Sequence, residues 1–260
     1  MSWSWDETLY AGSAPFYARG RMPYPPTTAD VLRRELLLDG RGRLLDVGCG
    51  PGSLTHLLAP LFDEAVGVDA DVGMVAEAER HAAPNTRFVL LRAEELPAGL
   101  GSFRVATFAP SFHWMEQHAV AAAVHSMLEP DGAVVHVGAT TSLGDGDVPW
   151  DAVDALVTSY LGPVRRAGQG VLPDGTPRWE DEAFRAAGFD GPHAVDVVAG
   201  VTHERDVEDI VASVHSLSSA APHLFGNRLQ AFDRELRELL QKAGGRFHER
   251  TRDITLTIWR

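Results

Sequence analysis

The sequence is short of several things, and each shortage narrows what the chain can be. Of its 260 residues only one, Cys49, is a cysteine. No disulfide can form within the chain, and no cysteine-based zinc site can be built. Cys49 lies among glycines, where a thiol reads as a small buried filler. No stretch approaches the roughly 20 consecutive apolar residues of a membrane-spanning helix. The first ten residues, with Trp3, Trp5, Asp6 and Glu7, lack the basic region and apolar centre of a secretory signal. A cytoplasmic protein is therefore expected. Positive charge is scarce: 23 Lys and Arg stand against 36 Asp and Glu, a formal net charge of −13. Nucleic-acid phosphates call for a basic surface, so the expected partner is a small molecule, with no nucleic acid and no membrane. There is neither an internal repeat nor a low-complexity tail.

What is present is ordinary for a folded domain, with 45% hydrophobic and 23% charged residues. The length suffices for one core with an added lid or cap. Residues 1–25 collect rings and prolines. Among them Tyr17, Arg19, Arg21 and Tyr24 mix aromatic faces with cations, which suits an arm that packs on the core and one that also covers a ligand. Thr27 or Thr28 is expected to cap a helix running to about Leu38, stopped by Asp39-Gly40. The chain then alternates: strands at 43–48, 65–68, 86–91, 103–108 and 133–138, helices at 53–62, 72–82 and 117–128, and a turn at Pro130-Asp131-Gly132. Such alternation predicts a mainly parallel, doubly wound α/β sheet with its ligand at the carboxyl ends of the strands.

From Thr140 to Pro177 the pattern weakens. Gly144, Gly146, Pro149, Pro163, Gly168, Gly170, Pro173 and Gly175 punctuate it around one helix, 151–161. A long irregular insertion of this kind is either a surface loop or part of a substrate lid. A helix at about 180–187, a strand at 193–201, helices at 204–217 and 227–242, and a last strand from Asp253 to Trp259 complete the chain.

The most informative stretch is Leu44-Leu45-Asp46-Val47-Gly48-Cys49-Gly50-Pro51-Gly52, followed by Leu54, Leu57, Leu58 and Leu61 at helical spacing. A buried strand, a glycine turn that admits close backbone approach, and a helix form a nucleotide-binding unit. Ser53 stands where a dinucleotide fingerprint needs its third glycine. A carboxylate at Asp46 sits well beside an ammonium group and badly beside phosphates. Asp69 closes the second strand where a vicinal ribose diol would be bound, a feature shared by NAD and S-adenosylmethionine. It can also serve merely as a helix cap.

The run from Leu44 to Gly52 resembles motif I of the class I S-adenosylmethionine-dependent methyltransferases. Three further segments agree in order: Val66-Gly67-Val68-Asp69 with Met74, Arg92-Ala93-Glu94-Glu95-Leu96-Pro97, and Ala109-Pro110-Ser111-Phe112-His113-Trp114. The arm from Tyr17 to Pro25 and the Phe-His-Trp triplet resemble a small-molecule subgroup that includes trans-aconitate-type methyltransferases. One departure is Arg104, at a place in the fourth strand where relatives carry an acid.

The resemblance implies a Rossmann-like, doubly wound fold with a mainly parallel seven-stranded sheet and an antiparallel C-terminal strand. The single domain, 1–260, would comprise an N-terminal arm and helix (1–40), a cofactor-binding core (41–139), cap elements on the substrate side (140–177 and 203–245) and the last strand (251–260). It implies S-adenosyl-L-methionine as cofactor, a small organic acceptor, and a monomer or homodimer. Gly48, Gly50 and the Asp46 region would hold the methionine part. Asp69 would take the ribose hydroxyls, Met74 would pack on the adenine, and Ala93 and Glu94 would bound its edge. Pro110 and Tyr17 would complete the cofactor site, with Arg21 pairing to its carboxylate and Arg19 as rival. Trp114 and Tyr24 fall to the acceptor, and His113 is the candidate proton acceptor. His136, inside the fifth strand, reads as a core residue. The remaining histidines show no metal-ligand spacing, so no metal is expected. Two other functions stay open: an NAD-dependent oxidoreductase, and a nucleoside-binding protein without catalysis.

Overall fold

The computed structural model describes residues 6–167, 170–172 and 180–260, so Trp3, Trp5, Gly168, Pro173 and Gly175 fall outside the described residues. Seven strands make the main sheet: β1 (Arg43–Val47), β2 (Glu64–Asp69), β3 (Thr86–Leu90), β4 (Phe103–Phe108), β5 (Leu128–Gly138), β6 (His193–Val197) and β7 (Ile254–Trp259). Their spatial order is β3-β2-β1-β4-β5-β7-β6. The first five run parallel, and β7 lies antiparallel to both β5 and β6. Strands covered on both faces read as unbroken apolar runs, and Leu44, Leu45, Val47, Ala65, Val66 and Val68 are indeed all buried. In β7, by contrast, Ile254, Leu256 and Ile258 are buried while Thr255 is exposed.

Two cores flank the sheet. Helices α5 (Gln117–Met127) and α7 (Glu180–Ala186) cover one face, where Phe103, Phe108, Phe112, Phe184 and Trp259 cluster. Helices α2 (Thr27–Glu35) and α3 (Ser53–Leu58) cover the other, packing Leu32, Leu54 and Leu58 on Leu44, Leu256 and Ile258. Helix α4 (Val72–Arg80) buries Met74, Val75 and Ala78, and its N-terminus is capped by Asp71, whose side chain accepts the Met74 N–H at 2.9 Å.

A second lobe has a core of its own. Helices α6 (Trp150–Leu161), α8 (Val207–His215), α9 (Pro222–Phe225) and α10 (Leu229–Lys242) pack Val153, Val211, Val214, Phe225, Phe232 and Leu236 together. Beneath them lies a three-stranded antiparallel sheet of Thr202–Asp206, Arg246–Arg250 and Asp145–Gly146. The arm joins this lobe through α1 (Ala14–Gly20). At Gly20 a side chain would lie 2.4 Å from the Ala212 backbone, so the two helices meet backbone to backbone.

Several local expectations change. Residues 202–206 are a strand and not the start of a helix, because Arg246–Arg250 pairs with them. Asp206 then caps α8 by accepting the Asp209 N–H at 2.9 Å. The turn at Pro130-Asp131-Gly132 lies within β5 as an irregularity: Asp131 is left-handed (φ 63°) and the register against β4 shifts between Phe103 and Val105. Neither Thr27 nor Thr28 caps α2, since Pro26 precedes the helix and no side chain caps it. Arg104 faces the connection before β1, bonding Asp39 and the carbonyls of Leu37 and Arg41.

Asp46 is corrected as well. Its carboxylate is buried and both oxygens are occupied: the Thr55 hydroxyl on α3 donates at 2.6 Å and the Thr107 hydroxyl on β4 at 2.8 Å. Burial raises its pKa above the ordinary carboxylate value. Asp46 positions the loop above it, with both oxygens engaged inside the fold.

A second buried carboxylate, Glu249, accepts from the Arg205 guanidinium at 3.0 Å and from the Gly144 N–H and Trp150 indole N–H at 2.9 Å each. Glu249→Ala would strand a buried guanidinium and is expected to cost about 3–5 kcal/mol, read as a lower denaturant midpoint, with a smaller loss for Glu249→Gln. Asp46→Ala leaves two buried hydroxyls without an acceptor. It is expected to lower stability by about 1–3 kcal/mol while changing cofactor-product affinity little; a large affinity loss without a stability loss would restore Asp46 to the binding site.

Candidate active site

The loop after β1 turns on glycines for two different reasons. Gly48 (φ 69°) passes so close to the segment after β4 that a Cβ would fall 2.6 Å from the Ser111 Cβ. Gly50 (φ 55°) has open space where a side chain would stand, on the cavity side. The N–H groups of Gly48 and Cys49 both donate to the Val68 carbonyl, at 2.8 and 3.0 Å. The Gly50 N–H donates to Asp69 Oδ2 at 2.8 Å, and the Asp71 N–H donates to Oδ1 at 2.9 Å. The loop and the end of β2 are therefore one unit. Ser111 adds a third tie, donating its hydroxyl to the Val47 carbonyl at 2.8 Å.

Two cavities open on this unit. The narrow one, about 80 Å³, lies along the β2 end and is bounded by Asp69, Met74, Ala93 and Glu94. The large one, about 1240 Å³, spreads over the carboxyl ends of β4 and β5 and along β7, with Arg21, Tyr24, His113 and His136 in its walls. Tyr10, Tyr17, Gly48, Gly50, Pro110 and Trp114 line both. These six form the neck between the chambers. Arg104 and Asp46 line neither.

The titrating groups are tuned by burial. The Asp69 carboxyl is lifted from 3.8 to about 6, because loss of water outweighs the two N–H donors that favour its ionised form. Burial raises the Tyr10 and Tyr24 hydroxyls, keeping them neutral donors at any ordinary pH. It also pushes up the Cys49 thiol, which fits a filler role. Glu94 Oε1 accepts the Glu116 N–H at 3.1 Å, which ties the narrow cavity to the segment before α5.

The arm supplies the neck's rings. Tyr10 meets Tyr17 and Trp114 edge-on, with centroids 6.3 and 6.0 Å apart. The Arg21 guanidinium lies 4.5 Å from the Tyr17 ring centroid, and one of its terminal nitrogens donates to the Ser216 carbonyl at 2.7 Å. Its Nε is buried and has no hydrogen-bond partner among the described residues. Arg19 is different: it pairs with Asp206 at 3.0 Å and Asp209 at 2.7 Å, clamping the arm to the start of α8.

Two wall residues escaped the sequence reading. Tyr10 was seen only as one ring among many. His136 reads as a core residue in the sequence, yet it is half-buried and lines the large cavity, as His113 does. Its neighbours Val135 and Val137 are buried on the opposite face, so strand alternation near the end of β5 was the available signal. Among the described residues no group of three His, Cys, Asp or Glu side chains could hold a metal.

Comparison with known proteins agrees with this geometry. Residues 44–132 match the methyltransferase domain family. An uncharacterized methyltransferase of Mycobacterium tuberculosis is 32% identical over 173 residues, 66% of this chain and 63% of that protein, so the match spans less than two thirds of the relative. A trans-aconitate 2-methyltransferase of Methylobacterium nodulans is 46% identical over 78 residues, 29% of this chain and 27% of its own length. Among solved structures, a candidate type II methyltransferase of Anaeromyxobacter dehalogenans superposes with a TM-score of 0.57 at 20% identity, covering 92% of this chain and 95% of that one. The cyclase SpnF gives 0.53 at 16% identity, covering 98% and 94%. Likeness at such identities speaks for the fold alone. All four sequence motifs lie within the matched residues 44–132 and supply lining residues of the narrow cavity, so this part of the chain is similar to the methyltransferase domain family.

Proposed function

We propose that the chain transfers a methyl group from S-adenosylmethionine to a small organic acceptor by in-line displacement at the neck between the two cavities. The observation that carries this reading is the partition of the lining: the nucleoside-type residues face only the narrow chamber, and His113 and Tyr24 face only the large one. The cofactor would supply an electrophilic methyl on a sulfonium.

Asp69 would accept from the ribose hydroxyls, with Met74 against the adenine and Ala93 and Glu94 at its edge. The orphaned Arg21 Nε fits a carboxylate: a buried guanidinium nitrogen without an acceptor is costly, and the methionine end carries the acceptor it lacks. Gly48, Gly50, Tyr17 and Pro110 leave room for the backbone-hugging part between. On the acceptor side, Trp114 and Tyr24 exclude water and hold the nucleophile in line, which accounts for much of such a rate. Where the nucleophile bears a proton, His113 would take it.

Calorimetry with S-adenosylhomocysteine and with NAD tests the cofactor: only the former should bind, and binding of NAD alone would sink the proposal. Asp69→Ala is expected to weaken S-adenosylhomocysteine by about 1–3 kcal/mol. Asp69 also predicts a pH dependence. The free site takes up a proton as pH falls through about 6, and a neutral carboxyl accepts hydroxyl donors less well, so affinity should fall below that pH. Asp69→Asn should flatten the profile. Because the folded pKa lies above the unfolded one, this group does not contribute acid lability to the fold; its ionisation is what costs stability above pH 4 to 6. His113→Ala should lower turnover strongly with cofactor affinity unchanged within about twofold, and the reverse pattern would make it a packing residue.

A further inference from the structure

We propose that the Tyr10 hydroxyl reads the charge on the cofactor's sulfur, favouring the sulfonium of the loaded cofactor over the neutral thioether of its product. The inference rests on the methyl-transfer reading above and assigns a specificity-determining residue to the place where that reading puts the sulfur.

A sulfur with its nucleoside in one chamber and its methyl turned to the other is met by the side chains of the neck. Of the six residues that line both cavities, Gly48, Gly50 and Pro110 carry no polar side-chain atom. Trp114 brings an indole N–H, a donor without a lone pair to offer a cation. Tyr17 already has the Arg21 guanidinium 4.5 Å from its ring centroid, and a second cation there meets like charge. Tyr10 is the sixth. Its phenolic oxygen has lone pairs, and burial keeps it in the neutral hydroxyl form.

Position agrees with this choice. The charges of both Arg21 and Asp69 act on the Tyr10 hydroxyl. The reading above gives those residues the two ends of the cofactor, its carboxylate and its ribose, and the sulfur joins those ends. The ring is held from two sides, edge-on to Tyr17 and to Trp114, with centroids 6.3 and 6.0 Å apart. Ser218, in the wall of the large cavity, is a hydrogen-bonding neighbour of the hydroxyl. With Ser218 to take its proton, the oxygen can turn its lone pairs into the neck. A dipole fixed in this way needs no reorganisation when a cation arrives, and it is screened less than it would be in water. It attracts the sulfonium and the C–H groups which that charge polarises. Once the methyl has left, the sulfur is neutral and the attraction fades. Tyr10 thus contributes a difference between two affinities, not an equal gain for both.

The test is calorimetry of the full chain and of Tyr10→Phe, which keeps the ring and its edge contacts. It is run without acceptor at pH 8, above the value of about 6 at which Asp69 takes up its proton. Three ligands are compared: S-adenosylmethionine, S-adenosylhomocysteine, and sinefungin, in which a carbon bearing a protonated amine replaces the methylated sulfur. Tyr10→Phe is expected to weaken the two cationic ligands about five- to tenfold or more. S-adenosylhomocysteine, unchanged within about twofold, would report that the site is intact. Equal weakening of all three ligands, weakening of none, or a loss confined to S-adenosylmethionine would overturn charge reading by Tyr10 while leaving the cofactor reading standing. Failure of the unmodified chain to bind any of the three would instead overturn the reading beneath it.

Discussion

A buried carboxylate at the crossing of three elements determines where everything else can stand. Asp46 lies on β1, opposite Thr107 on β4, and receives a second hydroxyl from Thr55 on α3. Removing a carboxylate from water is costly unless its lone pairs are used. Here both oxygens are bonded, so the helix after the loop is held at a set distance from the fourth strand. The loop between has little freedom left. It leans on β2 through two N–H bonds to one carbonyl, and through Gly50 it orients Asp69. The residue most deeply inside the glycine motif therefore acts by position, and Asp69 is the carboxylate that lines the narrow cavity.

The large cavity depends on a different constraint. Arg205 is buried and donates to the Gly20 carbonyl, the Ser213 hydroxyl, the Asp209 carbonyl and Glu249, at 2.9 to 3.1 Å. These partners belong to the arm, to α8 and to the small sheet of the second lobe. One guanidinium with several donors in fixed geometry can satisfy all of them at once. Because Gly20 has no side chain, α1 can press against α8 and carry Tyr17 and Arg21 over the glycine loop. The large cavity is consequently an assembly of arm, second lobe and sheet ends.

Chemistry divides along the neck. On the narrow side a carboxylate with a raised pKa and the side chain of Met74 meet; on the wide side lie imidazoles, hydroxyls and arginines, of which Arg19, Arg166, Arg205 and Arg252 are matched to acids. Between them stand the edge-to-face rings of Tyr10, Tyr17 and Trp114. These rings narrow the passage from one cavity to the other.

Local pattern made much of this legible. The apolar run into Gly48-x-Gly50-x-Gly52 specifies strand, turn and helix through neighbours in the chain, and the strand ends at Asp69 and Pro110 follow from the same alternation. The strands themselves were within reach for that reason, and residues lining the narrow cavity lie at their ends. What stayed hidden depends on partners far along the chain. Asp46 looked like a ligand contact until Thr107, 61 residues on, was seen to occupy it. Arg19 and Arg21 are indistinguishable by spacing; acids 187 and 190 residues away separate them. The charged strand Thr202–Asp206 is a strand because Arg246–Arg250 lies beside it. His136 reads as core on periodicity, and it becomes a cavity wall because of where α7 begins. The sequence by itself determined the cofactor unit, since that unit is written in short-range apolar and glycine spacing. Tertiary structure alone decided which polar side chains are consumed in holding it and which remain for a ligand, since that is settled by hydrogen bonds between elements distant in the chain.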